Sequence, residues 1–398
     1  MNQLAGKMKK ALALLEPSDI LKFDQETSSI PDIIKLTLGE PDFNTPEHIK
    51  AAGQRSISAN RSHYAPPAGT LGLRRAISQF MAEKYHLNYI AERQILVTNG
   101  ATEAIYSVLT SLLNPGDKVL IPTPIFPLYI PVTLLNQAEP VFLDTSANGF
   151  VLSPEMLEQA LATHGEAVKA IIFNFPTNPT GVTYRRPAIE ALSAILRKHE
   201  IFVVCDEIYS ELTYGDPHVS MAEYLPEQTL VINGASKSHA MTGWRIGFIC
   251  GPTEIIQEIG KVHQFAITTT ATFAQDAAEE AFRNGIEDAA EMRAEYQRRR
   301  DFVFEKLSAL GFACAKPEGA FYLFAGIPND LEQDSLTFCL DLAHRAKVAV
   351  IPGDSFGPGS AHHIRISYAA SMADLQEAMR RIADYAAAVR SQAVSAQQ

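Results

Sequence analysis

The chain has no C-x-x-C pair. Its four cysteines, Cys205, Cys250, Cys314 and Cys339, stand far apart. That spacing argues against a metal site of the zinc type or a dithiol redox motif, and it suits a reducing cytoplasm. Cys205 lies inside an apolar run and reads as a buried core thiol. No apolar stretch reaches transmembrane length, so no membrane partner is expected. The nearest approach to a leader is Lys7, Lys9 and Lys10 ahead of Ala11–Leu15. It stops at Glu16-Pro17 with no small-residue cleavage site and reads as an amphipathic arm. Positive charge is also short: 34 Lys and Arg against 45 Asp and Glu leave a net charge of -11. A diffuse basic field for nucleic acid is therefore missing. No repeat of solenoid type is visible.

What is present is a 398-residue chain, 46% hydrophobic and 20% charged, long enough for two domains. Short β-branched runs recur at Ile95–Thr98, Lys118–Ile121, Ala170–Phe173, Ile201–Val204, Thr229–Ile232 and Ile246–Ile249. Continuous apolar runs of this kind suit strands covered on both faces of a mainly parallel sheet. Helical patterns at Thr102–Leu113 and Pro187–His199 lie between them, which predicts an α/β fold with helices on both faces. A charged helix over Asp288–Leu307 buries the stripe Met292, Tyr296, Val303 and Leu307 and leads into a smaller α+β domain. Arg298, Arg299 and Arg300 within it are expected on a solvated face, and the Ala-rich tail after Tyr385 is expected to fray. The domain division is 1–45 (arm and part of the small domain), 46–287 (large domain) and 288–398 (small domain).

The chemistry concentrates in a few loops. Lys237 lies in Asn233-Gly-Ala-Ser-Lys-Ser-His-Ala-Met-Thr-Gly-Trp-Arg245, and a lysine amine can form an imine with an aldehyde and later move protons. Asp206 ends the apolar run Ile201–Cys205, at the carboxyl edge where open α/β sheets bind ligands. A carboxylate there is costly unless paired, and opposite a pyridine nitrogen it would keep that nitrogen protonated. Taken singly, Asp206 could equally be a helix cap or a structural ion-pair partner. Tyr209, three residues on, can reach the same ligand. Asn178 sits in Asn-Pro-Thr-Gly, which is also a plain turn; the bond to Pro179 favours an extended backbone that exposes the amide. Asn99-Gly-Ala-Thr102 follows a strand and opens a helix, where backbone amides take phosphate readily. Ser236 and Arg245 can add a hydroxyl and a bidentate guanidinium. Together these groups suit pyridoxal 5'-phosphate.

With those residues in order, the chain resembles a fold type I pyridoxal-phosphate aminotransferase. It is most similar to the class I/II branch of aspartate and aromatic amino acid aminotransferases. The likeness runs from Leu36-Thr-Leu-Gly-Glu-Pro-Asp-Phe43 to Ile364-Arg-Ile-Ser-Tyr368, and Ser236-Lys237 with Gly243-Trp-Arg-Ile-Gly247 is its most specific part. The resemblance implies that Lys237 forms the Schiff base and shuttles the substrate Cα proton, with Asp206 on the pyridinium. It implies that Tyr209 and Asn178 bond the ring hydroxyl oxygen, and that Ala101, Thr102, Ser236 and Arg245 contact phosphate. Phe126 matches the stacking aromatic, Arg365 the clamp on the substrate α-carboxylate, and Gly39 a backbone contact to substrate. Tyr64 matches a tyrosine that reaches the neighbouring subunit's phosphate, which implies a homodimer. Gly234 departs from the serine some relatives carry there, which bears on cofactor affinity.

The expected activity is ping-pong transamination between an L-amino acid and a 2-oxo acid such as 2-oxoglutarate. A lyase or synthase of the same fold uses the same residues and stays open. A DNA-binding regulator of this fold would need a basic segment ahead of residue 36, which is not seen. A pocket wall of Ile20, Ile125, Phe126 and Tyr322 points to aromatic or large apolar substrates, with aspartate and an acylated diaminopimelate as competitors.

Overall fold

The computed structural model describes residues 4–396. Its centre is a seven-stranded sheet in the order Ile95–Thr98, Gly247–Cys250, Thr229–Gly234, Phe202–Asp206, Val168–Asn174, Lys118–Thr123, Glu139–Asp144. Gly247–Cys250 pairs antiparallel with both neighbours; all other pairings are parallel. Side chains alternate between faces along each strand. Val119, Ile121, Ile172 and Val204 join one apolar cluster with the helix Gly100–Leu112. Leu120, Ile171, Phe173, Val203 and Cys205 join another on the opposite face, with the helix Arg186–Leu196. Both faces are covered, which explains the continuous apolar runs.

The edge strand Glu139–Asp144 was not expected from sequence. Its burial pattern is mixed, because an edge strand has one neighbour and keeps polar residues outward.

A second, antiparallel sheet of Ile351–Pro352, His363–Ser367, Tyr322–Gly326 and Ala313–Cys314 has its own core. Ile34–Lys35 pairs parallel with Val348–Ala349, so the N-terminal segment is stitched to the C-terminal part of the chain. The helix Ala289–Ala309 buries Met292, Tyr296, Val303 and Leu307 as its spacing predicts.

Two expectations fail on this side of the molecule. Arg299 and Arg300 are buried, whereas only Arg298 faces solvent. Arg299 donates to both oxygens of Asp42 at 2.9 and 2.8 Å and to Glu295 at 2.8 Å. Arg300 donates to the Pro317 carbonyl at 2.8 Å and lies over the Tyr214 ring. Partners distant in sequence made burial affordable, and the local pattern could not show them. The tail also stays helical, as part of Met372–Ala396. Alanine favours helix, Ala386 is buried, and Arg390 ties to Asp330 at 2.6 Å.

No helix among the described residues is long and apolar enough to cross a membrane.

Candidate active site

A cavity of about 350 Å³ opens at the carboxyl edge of the large sheet, where the second core meets it. That size suits a small organic ligand. The parallel strands all deliver their following loops to this edge, and the reversed strand Gly247–Cys250 delivers its preceding one. Asn174, Asp206 and the turn bearing Lys237 therefore converge with Arg245 and the start of the helix Gly100–Leu112.

Asp206 ends its strand and points to the same face as Val204. It is only 4% exposed. Tyr129 donates to its Oδ2 at 2.7 Å, and the Ile208 backbone N–H donates to Oδ1 at 3.2 Å. Both donors are neutral. Burial pushes the carboxyl up to about 6, against the lowering pull of those hydrogen bonds. A buried carboxylate held only by neutral donors is a receptor for a cation.

Lys237 follows the strand Thr229–Gly234 and donates to the Gly39 carbonyl. Burial lowers its amine to about 8; Glu40, which lines the same cavity, pulls the other way. Its Nζ sits 5.7 Å from the Tyr209 ring centre and 5.8 Å from that of Phe321. A lysine lowered this far keeps an appreciable neutral fraction near neutrality, as a nucleophilic amine requires.

The helix Gly100–Leu112 starts without a side-chain cap from Asn99. Instead Glu103 accepts the Asn99 N–H at 3.0 Å. The first-turn amides at Ala101 and Thr102 thus have no intrahelical acceptor and line the cavity. Arg245 lies over this turn: a Cβ added to Gly100 would come within 2.5 Å of its Nη2. Gly100 also has φ +78, so glycine is required there twice over. Arg245 itself takes a left-handed backbone, φ 58, and its Nη1 donates to the Thr242 carbonyl at 2.8 Å. Ser236 completes a cradle of one cation, one hydroxyl and free helix amides, the donor set an oxyanion such as phosphate needs.

Arg365 is 1% exposed. It donates to Asn178 Oδ1 at 3.0 Å and to the Thr37 carbonyl, and stacks over Tyr322 and Phe356 at 4.6 and 5.0 Å. Its Nε has no protein acceptor. Tyr209 and Tyr322 share a hydrogen bond at 2.7 Å. A buried guanidinium with an unused donor suits an added carboxylate.

The structure therefore gathers Gly39, Ala101, Thr102, Phe126, Asn178, Asp206, Tyr209, Ser236, Lys237, Arg245 and Arg365 around one cavity. Tyr64 is not among the lining residues and is 86% exposed in its own chain. Ile125 also misses the cavity. It is buried on the other side of its loop, with its N–H on the Phe356 carbonyl. Tyr129, Glu40, Leu38 and Thr242 line the cavity without having been singled out in the sequence. The Pro-Leu-Tyr129 that follows Phe126 held a signal, since it brings a second aromatic just beyond the first.

The residues fit a phosphorylated pyridine aldehyde: an amine for the aldehyde, a buried anion for the ring nitrogen, and an oxyanion cradle for the phosphate. Comparison with known proteins gives the same family. The model for "Aminotransferase class I and II" matches residues 31–382. The "Probable N-acetyl-LL-diaminopimelate aminotransferase" of Bacillus subtilis (strain 168) is 43% identical over 92% of this chain and 93% of its own. The aspartate aminotransferase of the same organism is 38% identical over 94% of this chain and 98% of its own. The crystal structure of an aromatic aminotransferase from Pyrococcus horikoshii OT3 superposes with a TM-score of 0.86 at 35% identity, covering 91% of this chain and 98% of that one. The chain belongs to the class I and II aminotransferases, enzymes of the aspartate aminotransferase type that use pyridoxal 5'-phosphate.

Proposed function

We propose that the chain moves an amino group between an L-amino acid with a large apolar or aromatic side chain and a 2-oxo acid such as 2-oxoglutarate. The cavity wall carries this reading. Ile20, Leu38, Ile105, Phe126 and Tyr322 face it, and its lining cations among the described residues are Lys237, Arg245 and Arg365. Each of these three already has a task, so no cation is left for a second substrate carboxylate.

Pyridoxal phosphate, when bound, supplies a ring that accepts the electron pair of the substrate Cα–H bond. In our reading the protein's residues do the rest. Asp206 holds the ring nitrogen protonated, and Tyr129 holds Asp206. Asn178 and Tyr209 orient the ring through its hydroxyl oxygen, and Phe126 covers its face. Ala101, Thr102, Ser236 and Arg245 hold the phosphate. Arg365, helped by Gly39, orients the substrate through its α-carboxylate, which places the Cα proton near Lys237 Nζ. Lys237 takes that proton and returns it.

We further propose a homodimer in which the partner's Tyr64 completes the phosphate cradle. Support comes from the exposure of Tyr64, Phe265 (89% exposed) and Ile57.

A second reading is supported by the 43% identical relative: an acylated diaminopimelate as amino donor. One panel decides between them. kcat/KM is measured for phenylalanine, leucine, aspartate and N-acetyl-LL-diaminopimelate with 2-oxoglutarate. Phenylalanine or leucine should lead. A strong aspartate preference refutes the apolar reading, and a lead for the acylated substrate selects the second. Pyruvate, ammonia and a free thiol released from cystathionine without an oxo acid would identify a carbon–sulfur lyase.

A further inference from the structure

Behind the sheet edge that carries Asp206 and Lys237 lies a set of buried polar groups with no part in the site as described. Asn233 is the residue before Gly234, at the end of the strand that leads to Lys237. Its Oδ1 accepts the Gly234 N–H at 2.7 Å, which leaves its Nδ2 to donate to Ser210 Oγ at 2.9 Å. Ser210 is the residue after Tyr209. Its Oγ lies 2.7 Å from Tyr85 Oη, and Tyr85 Oη donates to Glu211 Oε1 at 2.6 Å. Glu211 Oε2 sits 3.2 Å from Lys84 Nζ. Asn233, Ser210, Tyr85 and Glu211 are all buried.

The donors and acceptors permit one direction only. A carboxylate accepts and cannot donate, so Tyr85 spends its proton on Glu211 and must accept from Ser210. Ser210 spends its proton on Tyr85 and accepts from Asn233. The result is a single oriented chain, Asn233 to Ser210 to Tyr85 to Glu211, anchored on a buried carboxylate that pairs with the half-buried Lys84. Burial and the Glu211 charge both hold the Tyr85 phenol well above its ordinary range, so the link stays protonated. Such chains strengthen cooperatively and are disrupted as a unit.

The chain joins three separate pieces of structure. Tyr85 closes the helix Leu71–Tyr85, Ser210 follows the segment bearing Asp206 and Tyr209, and Asn233 precedes the turn bearing Ser236 and Lys237. We propose that Tyr85, Ser210 and Asn233 are positioning residues, whose oriented hydrogen-bond chain sets the spacing between the Asp206–Tyr209 segment and the Lys237 turn. None of the three lines the cavity. The proposal rests on the cavity being the cofactor site, and its test separates the two.

Tyr85→Phe removes one oxygen and keeps the ring against Phe80 and His218 (5.7 and 5.6 Å between centres). Ser210→Ala removes the oxygen that accepts from Asn233 and donates to Tyr85, and the double variant removes all three links. Three quantities are read on each: the equilibrium Kd of the apoenzyme for pyridoxal phosphate, the melting temperature of the apoenzyme, and kcat and KM for the amino acid. Each single variant should raise the cofactor Kd roughly fivefold, the worth of about one net hydrogen bond. kcat should fall while KM for the amino acid holds, because Arg365 is not on the chain. The double variant should be no worse than Ser210→Ala alone, since Ser210→Ala already cuts the bond from Asn233 that joins the two segments. Kd and kcat at wild-type values, with only melting affected, would reduce the chain to a structural tie and overturn the proposal. Additive losses would overturn it too, by showing two independent bonds. If the wild-type apoenzyme does not bind pyridoxal phosphate, the cofactor-site reading has failed instead, and Tyr85→Phe is not the cause.

Discussion

Replacing Asp206 by Asn should stabilise the cofactor-free protein while disabling the loaded one. Asp206 sits in a buried pocket with two neutral donors, and its carboxyl is raised from 3.8 to about 6. A raised folded-state value means that the ionised form is penalised on folding. The rise corresponds to about 3 kcal/mol, absent below pH 3.8, growing between there and pH 6, and fully present above. Asparagine removes the charge. Its single oxygen can accept from Tyr129 or from the Ile208 N–H, not both, so about 1 kcal/mol is returned. The net gain is about 2 kcal/mol above pH 6, crosses zero between about pH 4 and pH 5, and turns into a loss of up to about 1 kcal/mol at lower pH. Urea unfolding of both apoproteins at pH 4.0 and pH 8.0 — about the two ends of the titration — reads this directly. Loaded with cofactor, the order should reverse, because the anion that meets the ring nitrogen is gone; kcat should drop about a hundredfold or more. An Asp206→Asn apoprotein less stable than wild type at the upper pH would refute the argument that an uncompensated anion waits there.

Three other outcomes follow from the same geometry. Lys237→Ala should lose both turnover and the visible absorbance of lysine-bound cofactor, and capture of cofactor by the wild-type apoenzyme should speed up as pH rises through about 8, where the amine becomes neutral. Arg365→Ala should weaken amino-acid binding by about 2–5 kcal/mol, read as a rise in KM, with cofactor retained after dialysis. Gly39→Ala should lower kcat/KM, because its Cβ would overlap the Tyr322 hydroxyl and displace the Tyr209–Tyr322 pair; the strain is worth about 1–3 kcal/mol, and an unchanged kcat/KM in steady-state assays would show that Tyr322 yields freely.

Much of the site could be read from the chain because its chemistry is local. Asp206 and Tyr209 share one loop, Ser236, Lys237 and Arg245 another, and Ala101 and Thr102 a helix start. Each short stretch carries its own punctuation. The strands of the large sheet were visible for a related reason: burial on both faces leaves an apolar run that needs no knowledge of its neighbours. What escaped was set by partners far along the chain. Arg299 is buried because Asp42 meets it from the other end of the sequence. Tyr129 matters through a carboxylate 77 positions away. Ile125 and Phe126 are adjacent, yet only one faces the cavity, since the loop's turn decides the direction.

The reversed strand Gly247–Cys250 has a consequence for how the chain can vary. A parallel return would need a crossover helix of a dozen or more residues, and such connections lengthen easily. The antiparallel return from Gly234 to Gly247 also spans a dozen residues, 235–246, but it is pinned at both ends by close packing: a Cβ on Gly247 would lie 2.5 Å from Gly100 C, and one on Gly234 2.6 Å from the Ile246 carbonyl oxygen. Lys237 and Arg245 are therefore held apart as if by a ruler of fixed length. A residue inserted within it would misalign amine and guanidinium together, whereas an insertion at the exposed turn around Gly116, where a Cβ would meet open space, should pass unnoticed.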